Sequence, residues 1–483
     1  MSNDNGTVFT LPEDLYDYQK EDLDRLLSDD TNWFNLSEMG TGKTPVSLGL
    51  VKEGGYKQVL IVCPKTIQLE WARQIKDWYG TDPAIGKGTY GKLEALARVL
   101  NGDTPFFITN YETFRIERHR DVLNRYPFDL VILDEAHKVR KPTTQMTRGL
   151  FEFASAHIHT RLMVLTGSPI VNNPADLHTL LCLLRPDEYS RRDRMNFIAT
   201  YCYYERGRYG VKITGIKDLT ELRKNTAQYT IRRTKKEVLP YLPDKYYKRV
   251  MLEMDKPQRE SYDKMEKELF LLMDSGEPIW APCVLALLTR LRQINLDPVL
   301  INVSAPSSKT DFLMDLIDDI DGKLVIFSTF ETYIRFLYEY LKTSKNPVPS
   351  VIITGKQSMD ERREAVDQFQ SNPNIKLALG TIQSMGEGIT LTESSNVVMM
   401  DRWWTPAGNS QAEDRLHRIG QKSAVQVIIP VNEKSVDESF DTILAAKGQF
   451  ISSYLGEDKA MSEILLDLRQ SRQKEQYVES QSQ

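Results

Sequence analysis

Short apolar runs rich in β-branched residues recur early in the chain, at QVLIVCP (58–64), FFITNY (106–111), DLVILDEAH (129–137) and RLMVLTGSP (161–169). Each is followed by a turn signal and then by residues spaced as on a helix. A strand buried on both faces has no polar positions to alternate with, so apolar runs interleaved with helical segments predict a parallel, doubly wound sheet. The pattern stops near residue 180 and resumes at KLVIFSTF (323–330), SVIITG (350–355), IKLALGTI (375–382), NVVMMD (396–401) and VQVIIPV (425–431). The fold class is therefore α/β, with two doubly wound parallel-sheet lobes. Between them, 181 to about 305 reads mainly as helix and not as a third sheet; in RESYDKMEKELFLLMDSG apolar residues return every three or four positions. The expected organisation is 1–180, 181–305, 306–456 and a polar tail, 457–483, with one amphipathic stretch, AMSEILLDLRQ.

Composition narrows the function classes. A chain of 483 residues needs more than one core. With 41% hydrophobic and 27% charged residues and no apolar run long enough to cross a bilayer, membrane roles are set aside. The start, MSNDNGTVFTLPEDL, is polar and acidic and lacks the regions of a secretory signal, so an intracellular, cytoplasmic location is expected, in a bacterial cell or in the host of a virus. Cys63, Cys182, Cys202 and Cys283 are far apart, and the one close histidine pair, His157 and His159, has no further ligand nearby in sequence. No metal beyond Mg²⁺ is implied. A net charge of −5 does not by itself predict a nucleic-acid partner. Basic residues do collect in RIERHR (115–120), RRDR (191–194) and IRRTKKE (231–237), each of which taken alone reads as a solvated face, while a basic groove within an acidic molecule stays open.

The chemistry starts at SEMGTGKT, Ser37 to Thr44. Gly40, Thr41, Gly42, Lys43 and Thr44 match the core of a phosphate-binding loop, in which backbone N–H groups cradle phosphates, the lysine reaches the β and γ oxygens and the threonine hydroxyl helps hold Mg²⁺. The full pattern has glycine where Ser37 stands, so the loop departs from it at one position. DEAH, Asp134 to His137, follows the strand DLVIL directly, which puts two carboxylates at the carboxyl end of a parallel strand, where such sheets bind ligands. Asp134 is assigned to Mg²⁺ and Glu135 to the attacking water. The plain alternative is a helix cap, which an upstream phosphate loop makes a poor explanation. Near the far end, DRWWTPAGNSQAEDRLHRIGQ (401–421) places Arg415 and Arg418 three apart on an expected helix, facing the same way. A surface charge ladder would have the same spacing.

That last string resembles the final helicase motif of the Swi/Snf-type ATPases of helicase superfamily 2, and the likeness runs from YDYQKEDLDRLL (16–27) to about 455. EMGTGKT resembles motif I, VCPKTIQLEWARQIKDW motif Ia, TNYET Ib, LTGSPIVNNPADL motif III with Ser168 for the usual threonine, VIFSTF motif IV, and GTIQSMGEGITLT motif V, where Gly388 is implied among the nucleotide contacts. IRRTKKEVLPYLPDK, and LTRLRQINLDPVL running into SSKTDFL, are similar to the family's own connections between two RecA-like lobes. TYCYYERGRYGVKITGIKDLTEL is similar to a distant subgroup that anneals strands and remodels forks, and 201–215 is a candidate strand-separating hairpin. The resemblance implies ATP between the lobes, with Gln19 reading adenine, the phosphate loop and DEAH supplied by the first lobe, and Arg415 and Arg418 by the second as arginine fingers. It implies a monomeric, DNA-dependent ATPase that steps along double-stranded DNA, with single-stranded or forked DNA as further substrates. A strand-separating helicase, and an ATP-controlled clamp without motor activity, are the alternatives.

Overall fold

The computed structural model describes residues 13–86, 88–167, 174–207, 210–217, 219–274, 281–385, 389–404 and 406–440. The chain divides into two compact units, Met1–Tyr241 and Leu242–Gln483. Among the described residues no helix is long and apolar enough to cross a membrane.

The first unit is built on a seven-stranded sheet. In chain order its strands are β1 (Trp33–Asn35), β2 (Val59–Val62), β3 (Ala84–Ile85), β4 (Phe106–Thr109), β5 (Leu130–Asp134) and β6 (Arg161–Leu165), joined later by a short strand at Thr230–Ile231. Two further strands precede that one, β7 (Cys202–Gly207) and β8 (Gly210–Ile216), so it is numbered β9. The order across the sheet is β3-β4-β2-β5-β6-β1-β9, and every pairing is parallel. The physical reason is visible in β2, whose four residues are all buried: Leu60 and Val62 enter the core on one face, Val59 and Ile61 that on the other. Each such side chain contributes about 1.5–3 kcal/mol by leaving water.

The second unit has a six-stranded sheet, again all parallel, from β10 (Lys245–Leu252), β11 (Leu324–Ser328), β12 (Ser350–Ile353), β13 (Leu377–Thr381), β14 (Asn396–Met399) and β15 (Val425–Asn432), in the order β10-β15-β14-β11-β13-β12. β11 is buried in the same two-faced way, with Val325 and Phe327 on one side and Leu324 and Ile326 on the other. These sheets are the two RecA-like lobes.

The segment between the lobes is mostly helical, with Lys256–Asp274 and Ala281–Leu296 its longest helices. It differs from expectation in holding, among the described residues, four strands. β9 and β10 extend the two main sheets, and β7 and β8 form a separate antiparallel ribbon. β10 escaped notice because it is an edge strand, largely solvated, and its sequence KYYKRVML carries no apolar run. The polar tail lies outside the described residues.

Candidate nucleotide site

Register places the first site. Asn35 at the end of β1 and Asp134 at the end of β5 both pair with Leu165 at the end of β6. The loops after these three strands therefore leave the carboxyl edge of the sheet from one row: the phosphate loop follows β1, DEAH follows β5 and motif III follows β6.

In the phosphate loop Gly40 and Gly42 have φ of 78°, a left-handed conformation open to glycine. At Gly42 a Cβ would lie 2.0 Å from Gln19 Nε2. The helix Lys43–Glu53 starts directly after it, with Pro45 in its first turn, where no backbone donor is needed. Lys43 Nζ donates to the carbonyls of Ser37 at 2.8 Å and Glu38 at 3.0 Å, and Thr41 Oγ1 donates to Glu38 O at 2.8 Å. Thr44 occupies the second helical position, half-buried.

Ser37 departs from glycine for a reason the sequence did not reveal. Its hydroxyl accepts the backbone N–H of Arg233 at 3.1 Å, and Glu38 N donates to Arg233 O at 2.9 Å. The Arg233 guanidinium reaches back to Asp22 and Glu21, and Lys235 N donates to Glu38 Oε2 at 2.9 Å. The run IRRTKKE is thus a brace behind the phosphate loop as well as a basic cluster. Gln19 is buried; Oε1 accepts Tyr16 N at 3.0 Å and Nε2 donates to Thr41 O at 3.4 Å, so this side chain joins the helix Asp17–Leu27 to the loop.

At the end of β5, Asp134 Oδ2 accepts the indole N–H of Trp71 at 2.8 Å, Oδ1 accepts Glu135 N at 2.8 Å, and its carbonyl accepts the Tyr111 hydroxyl at 2.7 Å. Burial, then the neighbouring Glu135 carboxylate, push the Asp134 carboxyl up to about 6, against the opposing pull of Trp71 and Lys43. Glu135 sits at φ 50°, ψ 45°. A non-glycine residue there costs about 1–3 kcal/mol, which the surrounding structure has to offset. His137 Nδ1 is 3.1 Å from Glu135 Oε2 and 3.5 Å from Thr166 Oγ1, joining DEAH to motif III. A Cβ on Gly167 would come within 3.0 Å of Met39 Cγ, so the glycine lets motif III lie against the phosphate loop. Ser168 lies outside the described residues.

The donor set suits Mg²⁺. A hydroxyl and a carboxylate are hard oxygen ligands. Each Asp134 oxygen accepts one hydrogen bond and keeps a lone pair, and Glu135 is the next residue in the chain.

In the second unit the expectation for the arginines needs correction. The helix Pro406–Glu413 ends before Arg415, and residues 414–420 are turns. The carbonyls that would continue the helix are taken elsewhere: Arg415 O accepts Leu391 N at 2.9 Å, and Leu416 O accepts Gln421 Nε2 at 3.2 Å. Arg415 is buried. Arg418 Nη1 donates to Thr390 Oγ1 at 2.8 Å and Ile389 O at 3.3 Å, so it is seated on the motif V segment. Gly388 lies outside the described residues.

The structure therefore gathers Gln19, Gly40, Thr41, Gly42, Lys43, Thr44, Asp134 and Glu135 at one edge of the first unit and places Arg415 and Arg418 together in one turn of the second. Trp71, Tyr111, His137 and Arg233 were missed as site residues. All four stand in or beside quoted motifs, but nothing in their spacing says where their hydrogen bonds go.

A phosphate loop, an Asp-Glu pair two strands away in the same sheet and a second parallel-sheet lobe carrying an arginine turn define a helicase-type P-loop ATPase. The chain belongs to the SNF2-related domain family, which it matches over residues 18–300, and it matches the helicase conserved C-terminal domain over 308–420. It is 25% identical over 91% of its length to the human "DNA annealing helicase and endonuclease ZRANB3", of which the match covers 40%. It is 27% identical over 90% of its length to a Caenorhabditis elegans "SWI/SNF-related matrix-associated actin-dependent regulator of chromatin subfamily A-like protein 1 homolog", covering 61% of it. The chain thus spans less than two thirds of the length of these curated relatives. Among solved structures it is similar to the "Sulfolobus solfataricus SWI2/SNF2 ATPase core in complex with dsDNA", at 24% identity and a TM-score of 0.42, over 94% of this chain and 97% of that one.

Proposed function

We propose that this chain is an ATP-driven translocase on double-stranded DNA that uses Mg²⁺ with its nucleotide. The observation that carries the reading is the row Asn35, Leu165, Asp134, which brings phosphate loop, motif III and DEAH to one sheet edge in a member of the SNF2-related family. Lys43 and the loop amides bind the β and γ phosphates. Thr44 and Asp134 would hold Mg²⁺, which when bound would neutralise charge on the phosphate oxygens. Glu135, fixed beside His137, orients a water and takes its proton as the water oxygen attacks the γ-phosphorus and the bond to the β-phosphate oxygen breaks. Arg415 and Arg418 stabilise charge on the transferring group during turnover, an effect worth on the order of 10³–10⁵ in rate for arginine fingers. DNA as the track rests on family membership and on relatives named as DNA annealing helicases. A motor grips phosphates and reads little sequence.

Strand separation is a second reading, favoured by one observation. β7 and β8 form an antiparallel ribbon within the candidate hairpin segment, anchored through Cys202 on Ala175 and Ile198, with Tyr203 exposed. The experiment that tests both is ATP turnover with duplex, single-stranded and forked DNA and with duplex RNA. Strong stimulation by duplex DNA and weak stimulation by RNA are expected; equal stimulation by the two duplexes would remove DNA from the account. Unwinding of a long forked duplex without a partner protein would favour the second reading.

A further inference from the structure

The turn that carries Arg415 and Arg418 is held on its polar side by the first strand of the second unit. Lys245 Nζ lies 3.1 Å from Glu413 Oε2 and 3.1 Å from Asp414 Oδ1, and the Tyr247 hydroxyl donates to Glu413 Oε2 at 2.7 Å. His417 Nε2 donates to Pro243 O at 2.8 Å. Of the residues held here, Asp414 directly precedes Arg415, Glu413 lies one position further back, and His417 directly precedes Arg418. β10 is paired along its whole length with β15, from Lys245 opposite Val425 to Leu252 opposite Asn432, which fixes its register on the sheet. It begins three residues after Leu242, where the second unit starts.

Burial makes the arrangement consequential. Glu413 is 2% exposed, and the Lys245 and Asp414 side chains are each 15% exposed. One lysine therefore serves two adjacent carboxylates in a poorly solvated place. Without its ammonium, Glu413 and Asp414 would repel each other at the residues leading into Arg415.

We propose that Lys245 and Tyr247 are positioning residues for catalysis: they clamp Glu413 and Asp414 so that the turn presents Arg415 and Arg418 in one conformation. The inference rests on the reading of those arginines as phosphoryl-transfer residues. Misplacing a catalytic group by about 1 Å can cost on the order of 10² in rate, and the clamp acts on where the arginines sit, not on the groups that bind ATP in the ground state.

The test is a comparison of variants at saturating DNA, with Arg418→Ala measured alongside. Lys245→Met is expected to lower kcat about tenfold or more, with the KM for ATP and the affinity for duplex DNA each within about twofold of the parent. Lys245→Arg should recover most of the rate, and adding Asp414→Asn to Lys245→Met should recover part of it by removing one of the two facing carboxylates. Tyr247→Phe deletes a single exposed-side hydroxyl and keeps the assay decisive if Lys245→Met fails to fold; a several-fold fall in kcat is expected. Normal kcat in Tyr247→Phe and Lys245→Met while Arg418→Ala is slow would overturn the clamp and leave the arginine reading standing. Normal turnover in both arginine variants, Arg415→Ala and Arg418→Ala, would remove the reading and the clamp together. A parallel loss of kcat, ATP binding and thermal stability that Lys245→Arg does not repair would reduce the contact to a fold contact.

Discussion

In the proposed reaction Lys43 and Glu135 have separate roles, and their variants should fail differently. Lys43→Ala removes the ammonium that Ser37 O and Glu38 O now hold at the loop, so nucleotide binding itself should be lost. Glu135→Gln keeps the loop intact and removes only the proposed base, so ATP binding should persist while hydrolysis falls by orders of magnitude. Equilibrium binding of labelled ATP beside steady-state turnover separates the two; hydrolysis at the parent rate in Glu135→Gln would contradict the assignment. Ser37→Ala tests the brace. It leaves the buried-side N–H of Arg233 without its acceptor, a loss of about 1–3 kcal/mol. A lower melting temperature and a raised KM for ATP are expected, with kcat little changed.

At the scale of elements, burial creates a pH liability in the helix Pro174–Leu184. His178 is 2% exposed, its ring 4.8 Å from that of Phe197, and burial followed by the Arg194 charge lowers its pKa to about 4. In the unfolded chain the imidazole takes a proton near 6.5. Between those values the unfolded state binds more protons, so stability from this group is present above about 6.5 and is lost progressively as pH falls toward about 4. Urea midpoints of the first unit should drop across that window, and His178→Phe should flatten the drop. Equal slopes in parent and variant would show that the loss comes from other groups. The elements themselves were legible where physics leaves a local mark. Nine apolar runs predicted nine strands, because a strand buried on both faces cannot hide its composition. β1, β3 and β9 are two or three residues long, too short for a period, and β10 is a solvated edge. The end of the helix Pro406–Glu413 was illegible for another reason: the partners of the Arg415 and Leu416 carbonyls, Leu391 and Gln421, are set by tertiary packing. The site shows the same division. Gly40, Gly42, Lys43, Asp134 and Glu135 could be read from motif spacing, whereas Trp71, Tyr111 and Arg233 act through hydrogen bonds that close across long stretches of chain.

At the scale of the whole molecule, the first RecA-like unit holds the phosphate loop and the Asp-Glu pair and the second the arginine turn, and the proposed reaction draws on both. Coupling hydrolysis to movement requires both, so replacing Arg415 or Arg418 with alanine should leave ATP affinity nearly unchanged and lower DNA-stimulated turnover by a large factor. If those arginines instead held the DNA backbone, the variants would bind duplex more weakly, with a shallower salt dependence, and keep normal DNA-independent turnover. Stimulation of ATP turnover alone does not establish motion. The most direct measurement is displacement of a labelled third strand from a DNA triplex, followed in time with ATP and Mg²⁺, for the parent and for Glu135→Gln. The account predicts that the parent strips the third strand in an ATP-dependent manner at a rate that follows its turnover, and that Glu135→Gln binds the same DNA without displacing it. Full DNA-stimulated hydrolysis by the parent with the third strand left in place would contradict it.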